Sequence, residues 1–77
     1  MEIIFSRHAK LKILQRKISE KFITKTIKNP DFETPSYNFR TELFKNFGKN
    51  FLKVIVRKEG DKIVVITTHW VEKIKKK

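Results

Sequence analysis

The spacing of apolar residues in the first third of the chain predicts two short helices. Ser6 has the side chain and position of a helix N-cap, and the pattern after it predicts a helix to about Lys17. Ser19 repeats this signal and predicts a second helix to about Lys28, because Pro30 cannot continue it. The helices therefore precede everything else in the chain.

From Asp31 onward the pattern changes to short runs rich in β-branched and aromatic residues, separated by turn residues. The predicted strands are Phe32 to Tyr37, Phe39 to Phe47, Phe51 to Lys58 and Lys62 to Val71. The predicted fold is α+β, with two N-terminal helices packed on a four-stranded antiparallel sheet. Ile3 to Phe5 is a candidate short edge strand at the N-terminus.

Turn chemistry predicts the register of the two long hairpins. Gly48-Lys49 fits a two-residue type II′ turn. This turn pairs Phe44 with Lys53, Glu42 with Ile55 and Arg40 with Arg57. For the last hairpin we predict a three-residue loop between Arg57 and Asp61, because it requires positive φ only of Gly60. This loop pairs Arg57 with Asp61 and Lys53 with Val65.

These registers predict one apolar and one polar sheet face. The apolar face would consist of Leu52, Val54, Val56, Val64 and Ile66. The helix-free face would carry Arg40, Glu42, Lys53, Arg57, Thr67 and His69. A simpler interpretation of this face is an ordinary solvated set of ion pairs, in which Glu42 neutralises the neighbouring cations.

Charge narrows the choice of partner. The 77 residues contain 19 Lys and Arg against 8 Asp and Glu, a formal net charge of +11. Such a field attracts polyanions, so nucleic acid is the expected partner, and an acidic protein that covers the surplus is the second. Lys75-Lys76-Lys77 is predicted to be a solvated basic tail on a single domain of residues 1–77.

Composition also excludes several classes of protein. The absence of cysteine excludes disulfides and thiolate metal sites and suits the cytoplasm. No apolar run has the roughly 18 residues that a membrane span needs, and no secretory leader is recognisable, so we expect no membrane partner. The acidic residues are scattered, so no metal ion or other cofactor is expected.

Catalysis without a metal or a protein nucleophile would need a substrate that supplies its own nucleophile, as RNA does through its 2′-hydroxyl. We expect Glu42 to act as general base and His69 as general acid. The scissile phosphate would be held by Arg40, Lys53 and Arg57, with Thr67 on the same face.

Other residues are candidates for nucleic-acid contact. His8, Lys12 and Arg16 recur every four residues on the first helix and are auxiliary candidates, although such stripes are usually solvated helix faces. Trp70, near the end of the last strand, is the best candidate among the aromatic residues for stacking on an unpaired base.

The last hairpin, from Phe51 to Trp70, resembles that of the RelE/ParE-like toxin superfamily. The opening Phe5-Ser6-Arg7-His8-Ala9, the segment Arg16-Lys17-Ile18-Ser19 and Asn29-Pro30 resemble a small family of uncharacterised function placed near that superfamily. Together these segments span most of the chain.

The resemblance implies a metal-independent toxin that cuts RNA, often ribosome-bound mRNA, and that an acidic antitoxin silences. By position, Lys53 matches a strand arginine of the ribonuclease members, Glu42 lies near a strand carboxylate, and His69 with Trp70 matches the pair that closes the last strand. Lysine here replaces the arginine, and tryptophan replaces the usual tyrosine. Two alternatives remain open: a non-catalytic nucleic-acid-binding module, and a toxin-fold inhibitor of a protein target such as gyrase.

Overall fold

Ser6 and Ser19 each begin a helix, as predicted. A computed structural model of the protein describes residues 2–72, and the predicted basic tail lies outside them. Helix α1 spans Arg7–Arg16 and helix α2 spans Glu20–Lys28. The N–H of Ala9 donates to Ser6 Oγ at 3.0 Å, and Lys17, with φ 52°, ends α1 in the left-handed conformation.

The prediction of a four-stranded antiparallel sheet is wrong, because the sheet has five strands and is mixed. The strands are β1 (Glu2–Phe5), β2 (Phe32–Pro35), β3 (Arg40–Asn46), β4 (Asn50–Glu59) and β5 (Lys62–Glu72), in the order β1-β5-β4-β3-β2. The candidate edge strand pairs in parallel with β5, with Ile3 opposite Ile63 and Phe5 opposite Val65. A strand of four residues is too short to specify by its own sequence which strand it pairs with. Its apolar side chains become partly buried against the core only when β5 pairs with it.

The hairpin of β3 and β4 confirms the predicted register. Phe44 lies opposite Lys53, Glu42 opposite Ile55 and Arg40 opposite Arg57. Gly48 takes the first turn position with φ +100°, which a residue with a Cβ atom rarely adopts.

The predicted register of the last hairpin is wrong. Its loop contains two residues, Gly60-Asp61, and Glu59 pairs with Lys62 across it. Arg57 therefore lies opposite Val64 and Lys53 opposite His69. Gly60 occupies the first loop position with φ +63°, so the glycine supplies the positive φ without a third loop residue.

A β-bulge follows this loop and corrects the prediction of the two faces. Val56 pairs with Val65, but the next pair is Ile55 with Thr67, so Ile66 is the extra residue. Val65 is consequently fully buried, whereas Val64 is only partly buried on the opposite face. Because of the bulge, Thr67 lies on the helix-free face, as predicted.

The connection between β2 and β3 is longer than predicted. Tyr37 and Phe39 were assigned to strands, but β2 ends at Pro35 and β3 begins at Arg40. Asn38 and Phe39 both have positive φ, which costs a bulky side chain energy, and Phe39 is 96% exposed.

The core lies between the helices and one face of the sheet. Its fully buried residues are Ala9, Ile23, Leu52, Val54, Val56 and Val65, together with the threonines Thr26 and Thr68. Both threonine hydroxyls donate to backbone carbonyls, that of Thr26 to Phe22 and that of Thr68 to Lys53. The helices cover only this face and leave the other free to form a site.

Candidate nucleic-acid interface

Three strands bring a carboxylate, an ammonium group and an imidazole together on the helix-free face. Glu42 of β3 places Oε1 3.5 Å from Nζ of Lys53 on β4. His69 of β5 lies directly opposite Lys53. The three side chains form what we call the polar row, with Lys53 between the other two.

The polar row is held in place by its neighbours. The hydroxyl of Thr34 on β2 donates to Glu42 Oε1 at 3.3 Å, the same oxygen that faces Lys53. The side chains of Lys53 and Glu42 are only 22% and 24% exposed, so their pair is partly shielded from water. Thr67 lies on the same face, opposite Ile55, two pairs along the strand from His69.

The protonation of His69 depends on its surroundings. Partial burial lowers the pKa of the imidazole below its ordinary value of 6.5, and the positive charges of Lys53 and Arg16 lower this pKa further. The carboxylate of Glu42 acts in the opposite direction and raises it. The net effect makes the neutral imidazole the main form at pH 7, ready to accept a proton.

Arg16 reaches the polar row from the opposite layer of the fold. β1 pairs with β5 only as far as Val65. Three residues further along β5, the carbonyl of Thr68 accepts a hydrogen bond of 2.8 Å from Arg16 Nη1. This bond is to the residue next to His69 on β5, which accounts for the lowering of the pKa of His69 by the Arg16 charge. The sequence pattern placed Arg16 on a helical stripe but gave no sign of this contact.

Arg40 and Arg57 do not join the polar row. They lie opposite each other, and Arg57 is four positions along β4 from Lys53, a distance of about 13 Å. Arg57 Nε donates to Glu59 Oε2 at 2.7 Å, and within residues 2–72 the buried Nε of Arg40 has no hydrogen-bond partner. The predicted set of six residues is therefore divided between two ends of the face.

Trp70, the aromatic residue predicted to stack on a base, does not share a face with the polar row. Trp70 lies on the helix side of the sheet, where its ring makes edge contacts with Phe22 and Phe47 at centroid distances of 5.9 Å. Because successive residues of a strand point to opposite faces, Trp70 and His69 cannot serve one surface. Trp70 packs against the core instead.

The rest of the predicted helical stripe stays apart from the polar row. His8 is exposed near the start of α1. The ammonium of Lys12 donates to Gln15 Oε1 at 3.3 Å on its own helix.

Phe32, Phe44 and Phe51 form an aromatic cluster on the helix-free face; the sequence indicates Phe44 and Phe51 as stacking candidates but does not predict that the three rings meet. Phe32 stacks on Phe44 at 4.6 Å and lies 5.5 Å from Phe51. Lys53 Nζ is 5.7 Å from the ring centroid of Phe44, so the cluster adjoins the polar row. The available signal was the predicted pairing of Phe44 with Lys53, which places an aromatic ring beside a cation.

The described part of the chain has neither a cluster of metal ligands nor a helix that could cross a membrane. Within residues 2–72, no three His, Cys, Asp or Glu side chains are grouped so that they could hold a metal ion. The helices of this region are also too short and too polar to cross a membrane.

Comparison with known proteins gives a family but no activity. No curated protein and no solved structure matches the chain. Residues 5–70 match the family model described as "Domain of unknown function (DUF4258)", and this match includes α1, α2 and the whole polar row. The chain therefore belongs to the DUF4258 family.

Proposed function

We propose that the protein is a metal-independent endoribonuclease that uses the polar row. The observation that carries this proposal is the placement of Glu42, Lys53 and His69 together on the open face of a chain with net charge +11. RNA supplies the attacking 2′-hydroxyl, so the protein needs only to move a proton and to stabilise charge on the phosphate.

The surroundings of His69 favour a role different from the one expected from sequence. A pKa below 6.5 leaves the imidazole unprotonated at neutral pH, which suits a general base better than a general acid. In the proposed reaction His69 accepts the 2′-hydroxyl proton, the 2′ oxygen bonds to phosphorus, and the bond to the 5′ oxygen breaks. Water protonates the leaving oxygen, and the products carry a 2′,3′-cyclic phosphate and a 5′-hydroxyl.

The two neighbours of His69 have separate roles in this proposal. Lys53 stabilises the negative charge that develops on the phosphate oxygens, and Arg16 adds positive charge from the edge of β5. Glu42 is a positioning residue, because its carboxylate pairs with Lys53 and is in turn bonded by Thr34.

A relation to the RelE/ParE-like toxins is part of the proposal. Its support is the two-helix and hairpin pattern, the position of Lys53 and the carboxylate Glu42 on the next strand. Ribosome-bound mRNA as substrate and an acidic antitoxin as partner follow from that relation. The net charge of +11 suits both partners.

The test is cleavage of RNA by the purified protein in EDTA, followed by analysis of the product ends. We expect 2′,3′-cyclic phosphate ends, and no cleavage when a 2′-deoxynucleotide replaces the one before the scissile bond. His69→Ala should lower the rate by roughly 10²-fold or more, because general base catalysis contributes that much. Between pH 5 and pH 7 the wild-type rate should rise, as the imidazole loses its proton.

Lys58→Ala is the matched control for Lys53→Ala, since both lysines lie on β4 and Lys58 is exposed away from the polar row. We expect the Lys53 variant to lose activity and the Lys58 variant to keep it. Intact RNA in EDTA, or full activity of His69→Ala, would show that the proposal is wrong. Adding ribosomes to the assay tests whether the protein cuts mRNA only when the mRNA is bound to a ribosome.

One observation favours a second candidate function, a nucleic-acid-binding module without catalysis. Glu42 and Lys53 already neutralise each other, as in an ordinary cross-strand ion pair. This candidate predicts salt-sensitive binding with no products, and unchanged binding by His69→Ala. Toxicity on expression without RNA loss would instead favour an inhibitor of a protein target.

A further inference from the structure

A cavity lies next to the aromatic cluster, where β2 begins, β3 ends and β4 begins. Its volume is about 510 Å³, within the usual range of roughly 300–1,000 Å³ for ligand sites. It is lined by Asp31, Phe32, Lys45, Asn46 and Phe51. Asp31, Phe32 and Asn46 are exposed, so the cavity opens to solvent.

Two of the residues that line the cavity, Phe32 and Phe51, are aromatic. Their ring centroids lie 5.5 Å apart with an interplanar angle of 59°, and Phe32 keeps 38% of its surface exposed. An accessible aromatic ring on a basic protein is a stacking partner for the bases of single-stranded nucleic acid.

The other residues that line the cavity, Asp31, Lys45 and Asn46, are polar. Asp31 Oδ2 accepts a hydrogen bond from the backbone N–H of Asn46 at 2.6 Å, which fixes the orientation of the carboxylate. The carboxylate has a second oxygen, and a carboxylate is an acceptor for the exocyclic amine of a base. Asn46 Oδ1 accepts from the N–H of Gly48 at 2.8 Å, which leaves its NH₂ group to donate.

Contacts connect the cavity to the polar row. Phe32 stacks on Phe44, and Lys53 Nζ lies 5.7 Å from the Phe44 ring. A nucleotide whose base enters the cavity would thus present its phosphate towards Lys53. The cations of this face match the charge of that phosphate.

We infer that the cavity binds one base of single-stranded RNA and selects bases with an exocyclic amine, namely adenine, cytosine or guanine, over uracil. This inference rests on the proposed function, because it places the selected base next to the phosphate that Lys53 holds. Phe32 and Phe51 supply stacking, and Asp31 supplies the acceptor that distinguishes an amine from a carbonyl oxygen.

The test measures the affinity of the protein for 2′-O-methyl oligonucleotides, which cannot be cleaved, at fixed salt in EDTA. We expect oligo(C) and oligo(A) to bind about ten-fold more tightly than oligo(U), as one well-placed base contact allows. Phe32→Leu should weaken binding to all of them by about ten-fold through loss of stacking. Phe32 is on an edge strand, so this variant should fold.

Asp31→Asn tests the selection itself. Asparagine retains an oxygen for the N–H of Asn46, so the local structure should persist while the second acceptor becomes a donor. We expect the ratio of oligo(C) to oligo(U) affinity to fall to about one. Glu33→Gln, an equal change of charge on the exposed neighbour, should leave the ratio unchanged. Equal affinities in the wild type, or an unchanged ratio in Asp31→Asn, would overturn the inference.

Failure of this inference is distinguishable from failure of the proposed function. If the protein selects bases but leaves natural RNA intact, the cavity is confirmed and the nuclease proposal is wrong. If it cuts RNA without base preference, and Phe32→Leu cuts equally well, the cavity has no such role and cleavage stands.

Discussion

At the scale of single residues, His69 shows how position changes chemistry. The imidazole is partly buried and lies near two cations, and both conditions disfavour its protonated form. Its pKa is therefore lower in the folded protein than the 6.5 of an exposed histidine. The same environment that makes His69 a candidate base also makes folding depend on pH.

The sign of this dependence follows from the lowered pKa. In the unfolded chain His69 binds a proton more readily, so its contribution to stability is complete above about pH 6.5 and is lost as the pH falls through the folded-state pKa. We expect the free energy of unfolding in urea to fall from pH 8 to pH 5, and to fall less in His69→Gln. Titration of the His69 ring by NMR should give a midpoint below 6.5, and Lys53→Met should raise it while Lys58→Met does not. A midpoint above 6.5 would contradict the assignment.

At the scale of elements, Ser6 joins the start of α1 to the bulge in β5. Its hydroxyl oxygen accepts from the N–H of Ala9, and the hydroxyl donates to the carbonyl of the bulge residue Ile66 at 3.1 Å. The N–H of Ser6 donates to Val65 as well. The cap therefore also stabilises the bulge that places His69 beside Lys53.

Ser6 and Ser19 form a matched pair for testing this role. Ser6→Ala loses both a helix cap and the partner of a bulge carbonyl, so we expect a loss of about 2 kcal/mol in unfolding free energy. Ser19 is exposed and only caps α2, so Ser19→Ala should cost about 1 kcal/mol or less. Urea unfolding of both variants gives the comparison, and equal losses would mean that the Ile66 bond contributes nothing.

At the scale of the whole molecule, the two faces of the sheet carry different kinds of side chain. The face under the helices holds the buried aliphatic core, while the other carries the polar row, the aromatic cluster and the pair Arg40 and Arg57. Because the net charge of so small a protein is +11, its positive groups repel one another in the folded state, and this repulsion lowers the stability of the fold. The affinity for a polyanion that we expect and this cost in stability would thus have the same origin.

Added salt should separate these two effects. Screening weakens repulsion within the protein, so we expect the free energy of unfolding in urea to rise between about 20 and about 300 mM NaCl. Affinity for oligonucleotides should fall over the same range, because the release of counterions into a more concentrated salt solution gains less entropy. A decrease in stability with salt would mean that favourable ion pairs outweigh the net repulsion.

The sequence by itself determined the local features of this protein. Ser6 and Ser19 predicted both helix starts, and Gly48 predicted the register that brings Glu42 and Lys53 together, because caps and tight turns depend on neighbouring residues. The net charge of +11 also follows from the sequence alone, and a polyanionic partner stays a prediction from it. The pattern also placed Thr67 and His69 on the correct face, although the loop and pairing from which this was argued were wrong.

Only the tertiary structure decided how distant segments meet. Residues at least about fifty positions apart meet in the parallel pairing of β1 with β5 and in the contact of Arg16 with Thr68. The bulge at Ile66 depends on such long-range contacts. No local rule of sequence specifies any of these three features. Packing likewise placed Trp70 against the core, and burial lowered the pKa of His69. Local sequence set the elements and the charge, whereas packing decided which of the charged and aromatic side chains share a surface.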